Sequence, residues 1–183
     1  GVGSMPDGRA IDMIVSNLTT YTPWAVKQNS IKDSFGIVNM LTPRTRPPTI
    51  SDTLTSVKLR FSFVDSSTGE AVVLPKTLIS FVDFDNTKSN TVAECMTMES
   101  ASAADTFLSA TTQLTWDAEL GAYCGSEYGV GADNPSDVTK MSQLQIDRTV
   151  TYTVHEASAV DATFYLKGCC SSGRNVMIAG GSC

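Results

Sequence analysis

Residues 57–64 read Val-Lys-Leu-Arg-Phe-Ser-Phe-Val, a strict alternation of apolar and polar side chains. That period of two puts Val57, Leu59, Phe61 and Phe63 on one face of a half-buried β-strand and leaves the polar residues on the other. A helix would scatter the same residues around its axis. Further strand patterns, rich in β-branched and aromatic residues, occupy 11–16, 35–40, 91–98, 106–115, 148–154, 161–167 and 174–179. Turn-forming Asp65-Ser66-Ser67-Thr68-Gly69 separates residues 57–64 from Ala71-Val72-Val73-Leu74, which predicts a hairpin with a longer loop. Leu78, Phe81 and Phe84 belong to the next apolar run, before the polar stretch Asp85–Asn90. Short strands between turn-rich loops favour an all-β, antiparallel sandwich of jelly-roll or Ig/C2-like type over βαβ units.

One helical pattern interrupts the strands. Asn134-Pro135-Ser136-Asp137 offers a cap, and Val138, Met141 and Leu144 fall three apart, predicting a short helix near 136–145. The prolines of Thr42–Pro48 predict an extended, exposed loop carrying Arg44 and Arg46. There is no internal repeat, so the expectation is one sandwich domain over 1–183. The opening at Gly1-Val2-Gly3-Ser4-Met5 suggests that it is excised or processed from a longer extracellular protein.

Charged residues make up only 17% of the chain, the net charge is −6 and the pI is near 4.6. With no basic run to meet a phosphate backbone, the composition argues against nucleic-acid binding. No apolar run reaches the 18 or so residues of a membrane span. Cys95, Cys124, Cys169, Cys170 and Cys183 lack metal-site spacing and point to an oxidising compartment with at least one disulfide. The odd count leaves one thiol over, for which terminal Cys183 is the freest candidate; vicinal Cys169 and Cys170 more readily seek separate partners. Asn17-Leu18-Thr19 is a glycosylation sequon, placing Asn17 as an acceptor site outside the cell.

Catalytic machinery is not apparent. His155 is the one histidine, at the end of a strand pattern, and reads as an edge residue with no nucleophile elbow to serve. Gly129-Val130-Gly131-Ala132 lacks the Lys-Ser/Thr of a phosphate loop. Asp83 and Asp85 are two apart at a strand end and would share a face, where their charges repel unless neutralised. Ca²⁺ would do so through oxygen ligands, with Asp133 and Asp137, or Asp65, added from loops; otherwise these carboxylates stay solvated or cap turns. Arg174 is placed to pair with a buried or clustered carboxylate.

Ala10-Ile11-Asp12, Leu59–Asp65, Phe81-Val82-Asp83-Phe84-Asp85, Glu94-Cys95, Tyr123-Cys124, Gly131–Asp137 and Cys169-Cys170-x-x-Gly173-Arg174-Asn175 form an ordered set. In that order they resemble modules of surface proteins of algae and related protists, of dinoflagellate and diatom type. The resemblance implies an extracellular module without catalytic residues, and Cys95 and Cys124 as partners. The expected function is a non-enzymatic structural or adhesive module of a cell-surface or extracellular assembly, touching neighbouring copies or other extracellular proteins. The alternative is a lectin-like, Ca²⁺-dependent glycan-binding module, stacking sugars on Trp24, Trp116, Tyr123 and Tyr128, although both tryptophans equally suit a core.

Overall fold

The computed structural model describes residues 2–42, 54–88, 91–99, 103–169 and 172–182. Thirteen strands cover them: β1 (Gly3–Ser4), β2 (Ala10–Asn17), β3 (Ser30–Lys32), β4 (Phe35–Met40), β5 (Leu54–Asp65), β6 (Leu74–Val82), β7 (Val92–Met98), β8 (Ala103–Phe107), β9 (Leu114–Asp117), β10 (Ala122–Gly125), β11 (Val150–Ala157), β12 (Ala159–Gly168) and β13 (Arg174–Ser182). They form two antiparallel sheets, ordered β1-β2-β5-β12-β7-β10-β9 and β3-β4-β13-β6-β11-β8. This is an all-β sandwich, as the alternation predicts.

The alternating face of β5 is the inner face of the first sheet. Val57, Leu59, Phe61 and Phe63 are all buried, and Phe61 meets Phe81 of β6 edge-on at 5.6 Å across the inter-sheet gap. Phe164 of β12 reaches the same Phe81 at 5.3 Å, and Tyr152 of β11 closes the aromatic cluster at 6.2 Å. Edge-to-face rings at these spacings add about 0.5–1.5 kcal/mol each beyond the apolar area they bury. Cys95 of β7 stands directly opposite Cys124 of β10, and the two form a disulfide in the pairing that the protist resemblance implies. With its ends 29 positions apart, such a link stabilises a fold by roughly 2–4 kcal/mol in the chain-entropy account. Cys169 is also disulfide-bonded, and Cys170 and Cys183 lie outside the described residues.

Three local expectations are corrected. The hairpin from 57–64 into 71–74 is cut short: Asp65 N–H donates to the Glu70 carbonyl and Val72 N–H to the Phe63 carbonyl around a Val64–Ala71 bridge, after which the chain leaves β5 and enters the opposite sheet as β6. The continuous strand over 106–115 is two strands, because Ser109 and Thr111 turn their hydroxyls onto Asp147 and bend the backbone between β8 and β9. The helix near 136–145 is divided. Asp137 caps a 3-10 turn at Val138–Lys140, Met141 is extended, and Ser142 then opens α1 (Gln143–Asp147) with a reciprocal capping box to Gln145. The proline-rich segment with Arg44 and Arg46 lies outside the described residues.

Candidate functional site

β6 ends at Val82, and the chain then turns through Asp83 in the left-handed region, at φ +69. A non-glycine residue pays steric energy there, and Asp is among the few that adopt it. The kink, in place of simple strand alternation, is what brings Asp83 and Asp85 together. Asp133, in the loop between β10 and the 3-10 turn, completes the group, with one carboxylate oxygen from each of the three lying within 4.8 Å of the others.

Around them sit two arginines, Arg148 buried and Arg174 partly buried. Arg174, at the start of β13, donates through Nη2 to Asp85 Oδ1 and through Nε to Glu94 Oε1 at 2.7 Å. Arg148, following α1, donates to Asp133 Oδ2 at 2.8 Å, Gln113 Oε1 at 2.9 Å and the Tyr128 carbonyl at 2.7 Å. The backbone leaves no slack: a Cβ on Gly129 would stand 1.9 Å from Asp85 Oδ2 and 2.7 Å from Arg148 Nη1. Only a glycine lets that loop approach the charge cluster so closely.

The carboxylates differ in how they are satisfied. Asp133 accepts from the Val130 amide as well as from Arg148, and Asp85 is held by Arg174. Asp83 is 8% exposed and engages no hydrogen bond or ion pair among the described residues. Burial, reinforced by the neighbouring charge of Asp133, pushes its carboxyl up to about 7, with Arg174 and Arg148 opposing. Glu94 is driven well above the ordinary carboxylate range by burial and then by Asp83. Four acids thus face two guanidiniums here, beside a polar pit lined by Asp83, Asp85, Glu94, Gly131, Asn134, Gly173, Arg174 and Asn175.

Of the four expected cation ligands the fold therefore gathers Asp83, Asp85 and Asp133. Asp137 is elsewhere: its Oδ1 accepts from the Thr139 amide and hydroxyl and its Oδ2 pairs with Lys140. Asp65, the loop alternative, accepts from the Ser67 amide and hydroxyl and the Thr68 amide, a turn cap. Sequence reasoning missed the roles of Glu94, Arg148, Gln113 and Gly129. For Glu94 a signal existed, since Val92, Glu94 and Met96 share the inward face of β7 and a carboxylate there demands a cationic partner.

The aromatic residues do not form one surface. Trp116 and Tyr123 are cross-strand neighbours on β9 and β10 with ring centroids 5.0 Å apart. Trp24 lies against Gly173, where any Cβ would strike it, and Tyr128 is exposed in the loop beside Arg148. Asn17 is exposed at the end of β2 with its Nδ2 donating to the Thr19 carbonyl. His155 is exposed on β11 in register with Lys76.

Neither a protein-family model nor a curated protein matches the chain. Among solved structures it is similar to the adhesin domain of PrgB from Enterococcus faecalis, with a TM-score of 0.47 and 14% identity, over 81% of this chain and 57% of that one. The chain thus spans somewhat over half the length of that relative. No helix among the described residues is long and apolar enough to cross a membrane.

Proposed function

We propose that the chain is a non-enzymatic structural or adhesive module of an extracellular or cell-surface assembly, whose contacts with neighbouring copies run along open sheet edges. The observation that carries this reading is the state of those edges. β3 and β8 bound one sheet and β9 one side of the other, and each presents a large apolar side chain to solvent: Ile31 at 88%, Phe107 at 64% and Trp116 at 57% exposure. Unpaired strand edges are templates for another strand, and monomeric proteins ordinarily guard them with charge, proline or a covering loop. Lys32 and Asp105 give β3 and β8 only one charge each. The Cys95–Cys124 bridge suits an oxidising compartment.

Sedimentation velocity over a concentration series tests the reading. Association that grows with concentration and is lost in the Ile31→Lys, Phe107→Lys double variant is expected; a monomer at millimolar concentration overturns it. The exposed Trp116 ring beside Tyr123 favours glycan stacking as the second reading. A glycan array bound by the chain and lost by Trp116→Ala would select it.

A further inference from the structure

We propose that Asp83, Asp85 and Asp133 bind a divalent cation of calcium's class in the polar pit at the end of β6. The inference stands apart from the edge-contact reading and fails or holds independently of it. Proximity of three acids would not be enough. What points to a ligand is Asp83, a residue only 8% exposed that lines the pit and whose carboxylate has no hydrogen-bond or ion-pair partner among the described residues. A buried charge without a partner is among the costliest arrangements a fold can hold, and it persists where something else supplies the partner.

The charge count says what that partner is. The pit itself is lined by Asp83, Asp85, Glu94 and Arg174, and Asp133, one of the three grouped carboxylates, stands beside it with its partner Arg148. Both guanidiniums are already committed, Arg174 to Asp85 and Glu94, Arg148 to Asp133. With all four acids ionised two negative charges remain, which one divalent ion neutralises. The donors are oxygens only, with neither imidazole nor thiolate, a set that suits a hard cation over zinc or copper. Asn134 supplies a neutral amide beside them, with its Nδ2 turned to the Met177 sulfur, whereas the Asn175 carbonyl is occupied by Asn39. The pit holds ≈ 180 Å³, room for an ion with several of its waters at about 30 Å³ each. Ligands drawn from a kinked strand end and a loop, with coordination completed by water, fit calcium's tolerance of irregular geometry better than magnesium's octahedron. Once bound, the ion ties the loop that carries Asp133 to the end of β6.

Thermal unfolding of chelator-stripped protein with calcium chloride or magnesium chloride added is the test. Calcium should raise the melting temperature in proportion to the logarithm of its concentration above the dissociation constant, and magnesium should raise it less. Asp83→Asn should abolish the rise while itself melting higher than the stripped parent, since it removes the unpartnered charge. Asp137→Asn, in the capped turn outside the site, should respond as the parent does. An unchanged melting temperature at millimolar calcium overturns the proposal. So does a rise of equal size in Asp83→Asn, which would place any ion elsewhere.

Discussion

Asp83 and Asp147 are buried to nearly the same degree, 8% and 7% exposed, and are opposite in electrostatic state. Asp147, at the end of α1, accepts from the hydroxyls of Ser109 and Thr111 and from Gln143 Nε2. Those bonds, the Ser109 hydroxyl foremost, hold its carboxyl below the ordinary range, and the Ser67 hydroxyl and amide do the same for Asp65. Asp83 has no such donors, and burial pushes it up to about 7. Residue exposure alone therefore does not set a carboxylate's behaviour in this sandwich: at Asp83 burial dominates, and at Asp147 the donors outweigh it.

Breaking the donor supply at the acidic pit should give the largest effect. Arg174→Met removes the guanidinium that serves both Asp85 and Glu94 and leaves two buried acids facing Asp83. Deleting one partner of a buried ionic network costs about 3–5 kcal/mol, and denaturant unfolding should show a loss of that order. A loss no larger than an ordinary surface substitution would mean that the pit is far wetter than its geometry indicates.

The same contrast predicts opposing pH dependences. In chelated protein Asp83 titrates near 7 when folded and near 3.8 when unfolded, so between those values the native state holds the extra proton. Stability is then greatest below about pH 4 on account of this group and falls as pH rises towards 7, with Glu94 adding in the same sense. The difference between those two values corresponds to roughly 4 kcal/mol at most, and solvent reaching the pit makes about 2 kcal/mol the more reasonable size. Asp65 and Asp147 act in the opposite sense: their contribution is complete above pH 4 and is lost as pH drops through their lowered folded values. Unfolding free energies measured from pH 3 to 8 on the parent and Asp83→Asn should differ by a slope confined to the window between about 4 and 7.

Much of this was legible in the sequence, for reasons that have limits. Alternation on β5 identified its buried face because one face of a sandwich sheet must be apolar, and the ranges for β2, β4, β7, β11, β12 and β13 followed from the same rule. Asp83 and Asp85 were recognisable as neighbouring carboxylates that a loop acid such as Asp133 could join, and Arg174 as a partner for a clustered carboxylate. What alternation cannot show is which sheet a strand joins: β5 and β6 look like a hairpin, yet from β5 onward the chain alternates largely between the two sheets. Nor does local pattern reveal a bend imposed from afar, as Asp147 does on residues 109–111 from more than 30 positions away. Gly129 carries no sequence signal at all, because its requirement is the approach of Asp85 and Arg148, which only the folded chain creates.

The smallest expected effect comes from neutralising the satisfied acids. At both Asp65 and Asp147 the donors converge on a single oxygen, Oδ1. Asparagine keeps a carbonyl oxygen in that place, so Asp65→Asn and Asp147→Asn can retain the geometry and lose only the part of each bond that ionisation contributes. The melting temperature at pH 7 should therefore fall, by clearly less than in Arg174→Met. The sign with pH follows from the lowered folded values: variant and parent should converge in acid, where the parent's carboxyls are protonated, and separate above about pH 4. At Asp65 the second oxygen faces Arg9 Nη1 at 3.8 Å, so its variant should also lose some salt sensitivity that Asp147→Asn keeps unchanged. Scanning calorimetry on the two variants across pH 3–8 measures this. A drop as large as that of Arg174→Met would show that the charge of these caps, and not their shared oxygen geometry, holds the turns, and the contrast with Asp83 would then be one of degree.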